Sequence, residues 1–313
     1  MSLLPLIIVN PASAGGATGA AWPGLASEVR RHFGPFEVAF TRRGGEAEEI
    51  AEREARAGRA LVVACGGDGT INEVVNGILR AGARAELGVL PSGTGGDFRR
   101  TLKIPTRAAD AARHLRDGET RVLDAGRVHF TSEGGEEETR FFLNVASFGM
   151  GGDVIRRVKE RAGLSAGASR LVGGRLTFAL AALQSTLTFE KPAVRVSLDD
   201  GRESRLVVTN FCVANARFFG GGMKIAPGAV LDDGLFDVVA VGDMSALAIL
   251  TKSYRVYLGT HLGMQDVRHA HARRVAAQPV AGEEVKLEID GELAGRLPAT
   301  FEIVPGALRV RCP

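Results

Sequence analysis

The feature that most constrains the fold is a glycine-rich loop set between a buried strand and a helix. Residues 61–65 are the uninterrupted apolar run Leu-Val-Val-Ala-Cys, typical of a strand covered on both faces of a parallel sheet. Gly-Gly-Asp-Gly-Thr follows at 66–70, and apolar residues then recur at helical spacing over 71–79. Thr70 and Glu73 can form the capping box of that helix. This order predicts an α/β domain with the loop at one edge of a parallel sheet.

The same alternation of apolar runs and amphipathic stretches fills the first part of the chain. Strands are predicted at Leu6–Val9, Phe36–Thr41, Leu61–Cys65 and Leu87–Leu90. Farther along, hairpin signals such as Asp200-Gly201 and short strands such as Thr300–Val304 predict a β-rich second domain. A chain of 313 residues is long enough for two domains. We therefore predict an α/β domain over 1–122 and a β-rich domain over 123–304, with the tail 305–313 returning to the first.

The loop at 66–70 has the chemistry of a phosphate site. Glycines let backbone N–H groups approach phosphate oxygens closely, and the following helix N-terminus adds positive potential there. Asp68 would repel a bare phosphate, so its presence implies Mg²⁺ or a donor hydroxyl beside it. The alternative is a tight turn in which Asp68 acts as a cap.

Two further loops are predicted at the same edge of the sheet. Pro91–Phe98 follows the fourth strand and Asn10–Gly16 follows the first, and both are rich in glycine and small polar residues. Neither loop contains the Gly-Lys-Ser/Thr of a P-loop, and no Gly-x-Gly-x-x-Gly follows the first strand. Because neighbouring parallel strands end in one crevice, the three loops are expected to hold one ligand.

Together these motifs resemble the diacylglycerol kinase catalytic family, the ATP-dependent lipid kinases that include sphingosine and ceramide kinases. The matching segments are Asn-Pro at 10–11, Gly-Gly-Asp-Gly-Thr-x-Asn-Glu at 66–73, Gly-Thr-x-x-Asp-Phe at 93–98, Gly-Gly-Met-Lys-Ile-Ala-Pro at 221–227, Leu-Asp-Asp-Gly-Leu-Phe-Asp at 231–237 and Ile-Asp-Gly-Glu at 289–292. The resemblance runs along nearly the whole chain and is greatest to the soluble bacterial branch. It implies that residues 1–122 form a nucleotide-binding α/β domain similar to those of NAD kinases and phosphofructokinases. It also implies that residues 123–304 form a β-sandwich-like lipid-substrate domain, with ATP in the cleft between the two.

The resemblance also implies roles for individual residues. Cofactor contacts fall on Asn10, Pro11, Ala12, Ser13, Ala14, Thr41, Gly66, Gly67, Asp68, Gly69, Thr70, Ile71, Asn72, Glu73, Gly93, Thr94 and Asp97. Asp68, Asp97 and Asp124 would support a Mg²⁺–phosphate network, and a structural Mg²⁺ would lie on Asp233 with the carbonyls of Val230 and Leu235. Asp68, Asp290 and Glu292 are the candidate catalytic residues, with Asp290 or Glu292 as the proton acceptor.

The implied activity is transfer of the γ-phosphate of ATP to a hydroxyl group of a diacylglycerol-like or sphingoid lipid. Two alternatives stay open, an NAD kinase-like enzyme and a non-catalytic nucleotide- or lipid-binding regulator. Gly96 stands where the family usually has Asn, which removes a polar side chain from the second loop. An ordinary turn is the alternative to a catalytic or metal-binding role for both Asp290-Gly291 and Asp232-Asp233-Gly234.

Charge and apolar patterning bear on partners and compartment. A net charge of +3 is too balanced for a dedicated nucleic-acid binder, and three widely spaced cysteines favour a reducing, cytoplasmic compartment. No apolar run is long enough to span a membrane, so contact with the inner membrane surface would be peripheral. Pairing of edge strands in a homodimer is left open. On a helix His269 and His271 would not face each other, so a solvated basic segment is predicted there rather than a metal site.

Overall fold

A computed structural model describes residues 3–93, 95–154, 157, 184–186, 188–280 and 282–313. The first part of the chain forms a parallel sheet in the order β2-β1-β3-β4. Its strands are β1 (Leu6–Val9), β2 (Glu37–Phe40), β3 (Leu61–Gly66) and β4 (Glu86–Pro91). The helices are α1 (Ala17–His32), α2 (Glu46–Arg56), α3 (Asp68–Arg80), α4 (Asp97–Leu102) and α5 (Ala108–Asp117).

The second part is β-rich. Its strands are β5 (Glu119–Ser132), β6 (Glu137–Phe142), β7 (Val145–Gly149), β8 (Ala193–Leu198), β9 (Ser204–Val207), β10 (Asn210–Ala214), β11 (Phe236–Val241), β12 (Val267–Ala272), β13 (Arg274–Pro279), β14 (Lys286–Ile289) and β15 (Glu292–Cys312). Helices α6 (Ala246–Lys252) and α7 (Tyr254–Leu258) connect β11 to β12. The predicted fold class, an α/β domain followed by a β-rich domain, is confirmed.

Two antiparallel layers enclose the core of the β-rich part. One layer runs β14-β7-β10-β11-β12 and the other runs β6-β5-β15-β13-β8-β9. Phe148 and Phe211 are fully buried between the layers, with their rings stacked at 4.8 Å. These two side chains therefore belong to the sandwich core and are not exposed to a ligand.

Strand β15 joins the two parts of the molecule and is much longer than predicted. It covers 21 residues, where the sequence indicates only Thr300–Val304. Its register against β5 shifts between Arg296 and Ala299, around Pro298, and again between Val304 and Leu308, around Pro305. Near its end, Arg309 and Val310 pair in parallel with β4. One strand therefore completes both the parallel sheet and the sandwich.

The turn between β8 and β9 lies one residue earlier than the predicted Asp200-Gly201 turn. The two residues with left-handed φ are Asp199 (48°) and Asp200 (58°). The carboxylate of Asp199 accepts hydrogen bonds from the backbone N–H groups of Arg273 (2.7 Å) and Arg274 (2.9 Å). This tertiary contact fixes the position of the turn, so the local preference for Asp-Gly was misleading.

Candidate active site

The carboxyl ends of three parallel strands meet at one edge of the sheet. The backbone N–H of Asn10, just after β1, donates to the Cys65 carbonyl of β3 (3.0 Å). That of Ser92, just after β4, donates to the Gly66 carbonyl (3.1 Å). The loops at 10–16, 66–70 and 91–97 therefore surround a common space, as predicted from the order of the elements.

Helix α3 begins three residues earlier than the predicted capping box requires. Gly67 is its N-cap, so Thr70 lies inside the first turn, where its hydroxyl accepts a hydrogen bond from the Asn10 side chain (3.1 Å). The Glu73 carboxylate instead accepts a hydrogen bond from the backbone N–H of Ala47 at the start of α2 (3.2 Å). The predicted capping box is therefore wrong. Within the described part of the chain no side chain caps α3. The N–H groups of its first turn thus remain available to phosphate oxygens.

Glycines allow the second loop to lie directly on the first. A Cβ atom added to Gly93 would stand 2.6 Å from the Cα atom of Gly67, and one added to Gly95 would stand 2.6 Å from an Asp68 carboxylate oxygen. Both separations are below the contact distance of real side chains. Any larger residue at these two positions would push the loops apart, which explains why glycine occupies them.

Asp68 connects the two loops. Its carboxylate accepts hydrogen bonds from the backbone N–H groups of Gly96 (2.7 Å), Asp97 (3.2 Å) and Phe98 (3.3 Å) at the start of α4. Asp97 in turn accepts from the backbone N–H of Gly221 (2.8 Å), in the β-rich part. The site is thus built from backbone amides and carboxylates of both parts of the chain.

Gly96 keeps the backbone conformation that the second loop needs. Its φ of 69° and ψ of 41° lie in the left-handed region. Asparagine is the other residue that enters this region readily, so Gly96 can replace the family's usual Asn without changing the path of the loop. The change removes an amide side chain but leaves the N–H that donates to Asp68 in place.

Asp290 is held by hydrogen bonds from several directions. Its carboxylate accepts from the Asn72 side chain (2.9 Å) and from the backbone N–H groups of Leu143 (2.9 Å), Asn144 (2.8 Å) and Val145 (3.1 Å). Burial raises the pKa of this carboxyl group to about 6, although the hydrogen bonds oppose the rise. Asp290 and Gly291 both have positive φ, as a two-residue hairpin turn between β14 and β15 requires. The residue is therefore an anchor between α3, β7 and the hairpin.

Glu292 has a different environment, although it is only two residues away. It is exposed, and its carboxylate oxygen lies 2.7 Å from where a Cβ atom of Gly69 would stand. A side chain at residue 69 would collide with it, so the glycine lets an acidic group reach the phosphate loop. Glu292 is thus the acidic side chain of the Asp-Gly-Glu motif that faces the loop.

Comparison with known proteins is consistent with this arrangement. Residues 5–128 match the family described as diacylglycerol kinase catalytic domain, and residues 152–312 match the YegS C-terminal NAD kinase beta sandwich-like domain. A diacylglycerol kinase of Bacillus subtilis is 30% identical over 258 residues, which cover 82% of this chain and 79% of the relative. The chain belongs to the diacylglycerol kinase catalytic family. It is a lipid kinase.

Two further similarities cover almost the whole chain. A diacylglycerol kinase of Mycobacterium tuberculosis H37Rv is 29% identical over 310 residues, 98% of this chain and 94% of the relative. A crystal structure of a diacylglycerol kinase from Bacillus anthracis superposes with a TM-score of 0.71 at 21% identity, covering 99% of this chain and 97% of that one. The structural similarity supports the fold.

The residues that the diacylglycerol kinase family implies for the nucleotide are mostly brought together. The described positions from Asn10 to Ala14, Thr41, Gly66 to Asn72, Gly93 and Asp97 lie on or beside the loops that follow β1 to β4. Ile71 packs its side chain in the core, and the Glu73 carboxylate is directed to α2. Thr94 lies outside the described residues.

The metal-binding residues that the family implies fall into two groups. Asp68 and Asp97 lie close together, and the pKa of Asp97 is raised by burial and by the charge of Asp68. The two carboxylates offer the oxygen ligands that Mg²⁺ prefers. In the structure Asp68 accepts hydrogen bonds from the start of α4, and Asp97 accepts from Gly221 and Arg100. The carboxylate of Asp124 accepts from the N–H groups of Gly234 (2.7 Å) and Gly306 (2.8 Å), which places Asp124 beside the loop that carries Asp233.

The loop at 230–235 has the donor set of an exposed metal site. Val230 is exposed, and one Asp233 carboxylate oxygen accepts from the backbone N–H of Leu235 (3.0 Å). Carbonyl and carboxylate oxygens are the ligands that Mg²⁺ prefers. The Asp233 carboxylate offers one such oxygen, and its role with the Val230 and Leu235 carbonyls at a structural Mg²⁺ stays a prediction.

Sequence reasoning missed Arg100, which contributes to the site. Its guanidinium group donates to the Asp97 carboxylate (2.9 Å) and lies near Gly222. In the sequence Arg99-Arg100 looks like a basic run facing solvent or lipid. The spacing could have revealed this pair, because residues three apart on a helix lie next to each other on its surface.

Proposed function

We propose that this lipid kinase transfers the γ-phosphate of ATP to a hydroxyl group of a diacylglycerol-like or sphingoid lipid, with Mg²⁺ as cofactor. The observation that carries the proposal is the position of Glu292, an exposed carboxylate beside the uncapped first turn of α3. Phosphoryl transfer needs phosphate-binding amides, charge neutralisation and a group that accepts the hydroxyl proton. The names of the curated relatives favour a diacylglycerol-like acceptor.

The nucleotide-binding part of the proposal rests on the three loops. First-turn N–H groups of α3 would donate to the phosphate oxygens, while Asn10 and Thr70, which are hydrogen-bonded to each other, would shape the wall of the site. Asp68 and Asp97 would hold the cation, which when bound neutralises the charge of the phosphates. We place the nucleotide between the proposed domains 1–122 and 123–304.

Glu292 is the proposed proton acceptor. The lipid hydroxyl gives its proton to the Glu292 carboxylate while its oxygen forms a bond to the γ-phosphorus, and the bond from that phosphorus to the β–γ bridging oxygen breaks to leave ADP. Asp290 is a proposed positioning residue, because its carboxylate ties the hairpin to Asn72 and to the backbone of Leu143 and Asn144, whereas Glu292 faces Gly69. It would hold the hairpin so that Glu292 stays over Gly69.

A lipid phosphorylation assay tests the proposal. Purified protein is incubated with γ-labelled ATP, Mg²⁺ and a total lipid extract in mixed micelles, and the organic phase is separated by chromatography. We expect a labelled lipid whose mobility identifies the acceptor class, and no label when Mg²⁺ is removed by a chelator. Label in NAD instead would favour the NAD kinase-like alternative. ATP binding without any labelled product would favour the non-catalytic alternative.

An exposed apolar stripe supports action at a membrane surface, which we propose to be the cytoplasmic face. Leu247, Leu250, Tyr254, Tyr257 and Leu258 project from α6 and α7 at helical spacing, and Leu247 is 71% exposed. Lys252 and Arg255 lie on the same helices, so the stripe suits an anionic bilayer. Two contacts connect the stripe to the proposed active site. The Lys224 side chain lies near Gly259 at the end of α7, and the backbone N–H of Gly221, three residues before Lys224, donates to the Asp97 carboxylate. None of the helices described has the length and hydropathy to cross a bilayer.

Replacing both Leu247 and Leu258 by serine is expected to weaken binding to vesicles of phosphatidylcholine and phosphatidylglycerol by about tenfold or more, because two inserted side chains are lost. Co-sedimentation measures this, and phosphorylation of a short-chain, water-soluble lipid should be unchanged. Val207→Ser removes an exposed apolar residue of β9 and serves as the control. Unchanged vesicle binding together with a shift from dimer to monomer would mean that the stripe joins two copies of the chain.

A further inference from the structure

Two histidines and one aspartate meet on the outer face of the sandwich, away from the phosphate loops. Asp237 lies on β11, and His269 and His271 lie on β12, which is the last strand of its layer among those described. In the antiparallel register Asp237 stands opposite His271, and His269 stands opposite Val239. Neighbouring β11 residues such as Phe236 and Val238 point into the sandwich core, so Asp237 faces the other way.

The secondary structure here overturns the sequence-based expectation. The histidines were predicted not to face each other, because residues two apart on a helix point in different directions. Residues 267–272 instead form a strand, in which residues two apart share a face. The two rings accordingly lie edge to face, with centroids 4.9 Å apart.

The three side chains converge to the spacing of metal ligands. Nε2 of His269 lies 2.7 Å from Oδ1 of Asp237, and Nε2 of His271 lies 3.6 Å from the same oxygen. One potential ligand atom from each residue falls within 4.8 Å of the others. Ligands around a tetrahedral ion with bonds of about 2.1 Å are roughly 3.4 Å apart. The separations of 2.7 and 3.6 Å from Oδ1 of Asp237 lie on either side of this value.

The burial of Asp237 gives an electrostatic reason for a cation at this site. The residue is only 4% exposed, whereas the His271 side chain is 54% exposed. Burying a carboxylate is costly unless it is paired or hydrogen-bonded. A divalent cation bound to all three groups would balance its charge.

We propose that Asp237, His269 and His271 form a transition-metal site, with Zn²⁺ as the expected ion. Imidazole nitrogen favours Zn²⁺ and similar ions, whereas Mg²⁺ prefers ligand sets made of oxygen, so this site is distinct in chemistry from the proposed catalytic site. The ion would fasten the outer strand β12 to β11. Its expected role is to stabilise the edge of the β-rich part.

Zinc binding to the full-length protein tests the proposal. The protein is freed of any affinity tag, stripped with a chelator and titrated with Zn²⁺, with Mg²⁺ in a parallel titration. We expect one bound zinc per chain, a Tm higher by about 2 °C or more with excess zinc, and no comparable effect of Mg²⁺. Co²⁺ in place of Zn²⁺ should show the visible absorption bands of a tetrahedral nitrogen–oxygen site.

Separate His269→Ala and His271→Ala variants should each weaken zinc binding by about tenfold or more. His129→Ala is the matched control, since His129 is a half-exposed histidine on β5 that contacts Thr139. Thermal unfolding in chelator shows whether each variant is folded. The proposal is overturned if the stripped wild-type protein binds no zinc, or if both histidine variants bind it as tightly as the wild type does.

Discussion

Replacing Asp68 by alanine is expected to lower kcat/KM for lipid phosphorylation by about 1,000-fold or more. The substitution removes the carboxylate that accepts the N–H groups of Gly96, Asp97 and Phe98, so the second loop loses its attachment to the first. It also removes one of the two adjacent charges proposed to hold Mg²⁺. Initial rates at saturating ATP and Mg²⁺ measure the effect.

Two further variants separate the causes of this loss. Asp68→Asn keeps the size of the side chain but not its charge, and it should also be severely impaired if the cation depends on Asp68. Asp110→Ala removes an aspartate of α5 that pairs with Arg113 at the surface, and it should retain wild-type rates. An Asp68→Ala protein with more than about a tenth of wild-type activity would contradict the proposed site.

Replacing Glu292 by glutamine is expected to lower kcat by about 100- to 10,000-fold, the usual contribution of a general base. Glutamine has nearly the same shape and cannot take the hydroxyl proton, while the ATP-binding loops are untouched. The KM for ATP should therefore stay close to its wild-type value. Steady-state kinetics with a diacylglycerol in mixed micelles provide both constants.

The comparison with Asp290 decides between the two acids of the motif. Asp290→Asn replaces one carboxylate oxygen by N–H₂, which would face either the donors of Asn72 and Leu143 or those of Asn144 and Val145, so it should lower Tm by several degrees. Glu284→Gln changes an exposed glutamate just before β14 and is the control for loss of charge. A folded Asp290→Asn enzyme without activity, beside a fully active Glu292→Gln enzyme, would reverse the two roles.

The phosphate loops were predictable because their signals are local. An apolar strand, a glycine cluster and a helical stripe follow one another within residues 61–79, and parallel strands bring such loops to one edge. The bond from Asn72 to Asp290 spans 218 positions, so no local pattern distinguishes Asp290 the anchor from Glu292 the exposed acid. That distinction needs the tertiary contacts.

Other errors came from local rules that the tertiary structure overrode. The sequence indicates a strand only over Thr300–Val304, yet β15 continues through Pro298 and Pro305, which lie at irregularities where a missing N–H is tolerated. Thr70 and Glu73 have the spacing of a capping box, yet each finds a partner on another element. The expectation for His269 and His271 assumed helical spacing, but the two residues lie on strand β12, where residues two apart share a face.

The path of β15 has a consequence for synthesis on the ribosome. Strand β4 ends at Pro91, but its partner residues Arg309 and Val310 emerge 218 or more positions later. At roughly 5–20 residues per second, the parallel sheet keeps an unpaired edge for about 10–40 s after β4 has been made. During that interval the nascent chain exposes a template for pairing with other strands, so newly made molecules have a stronger need for chaperone protection than the finished enzyme has.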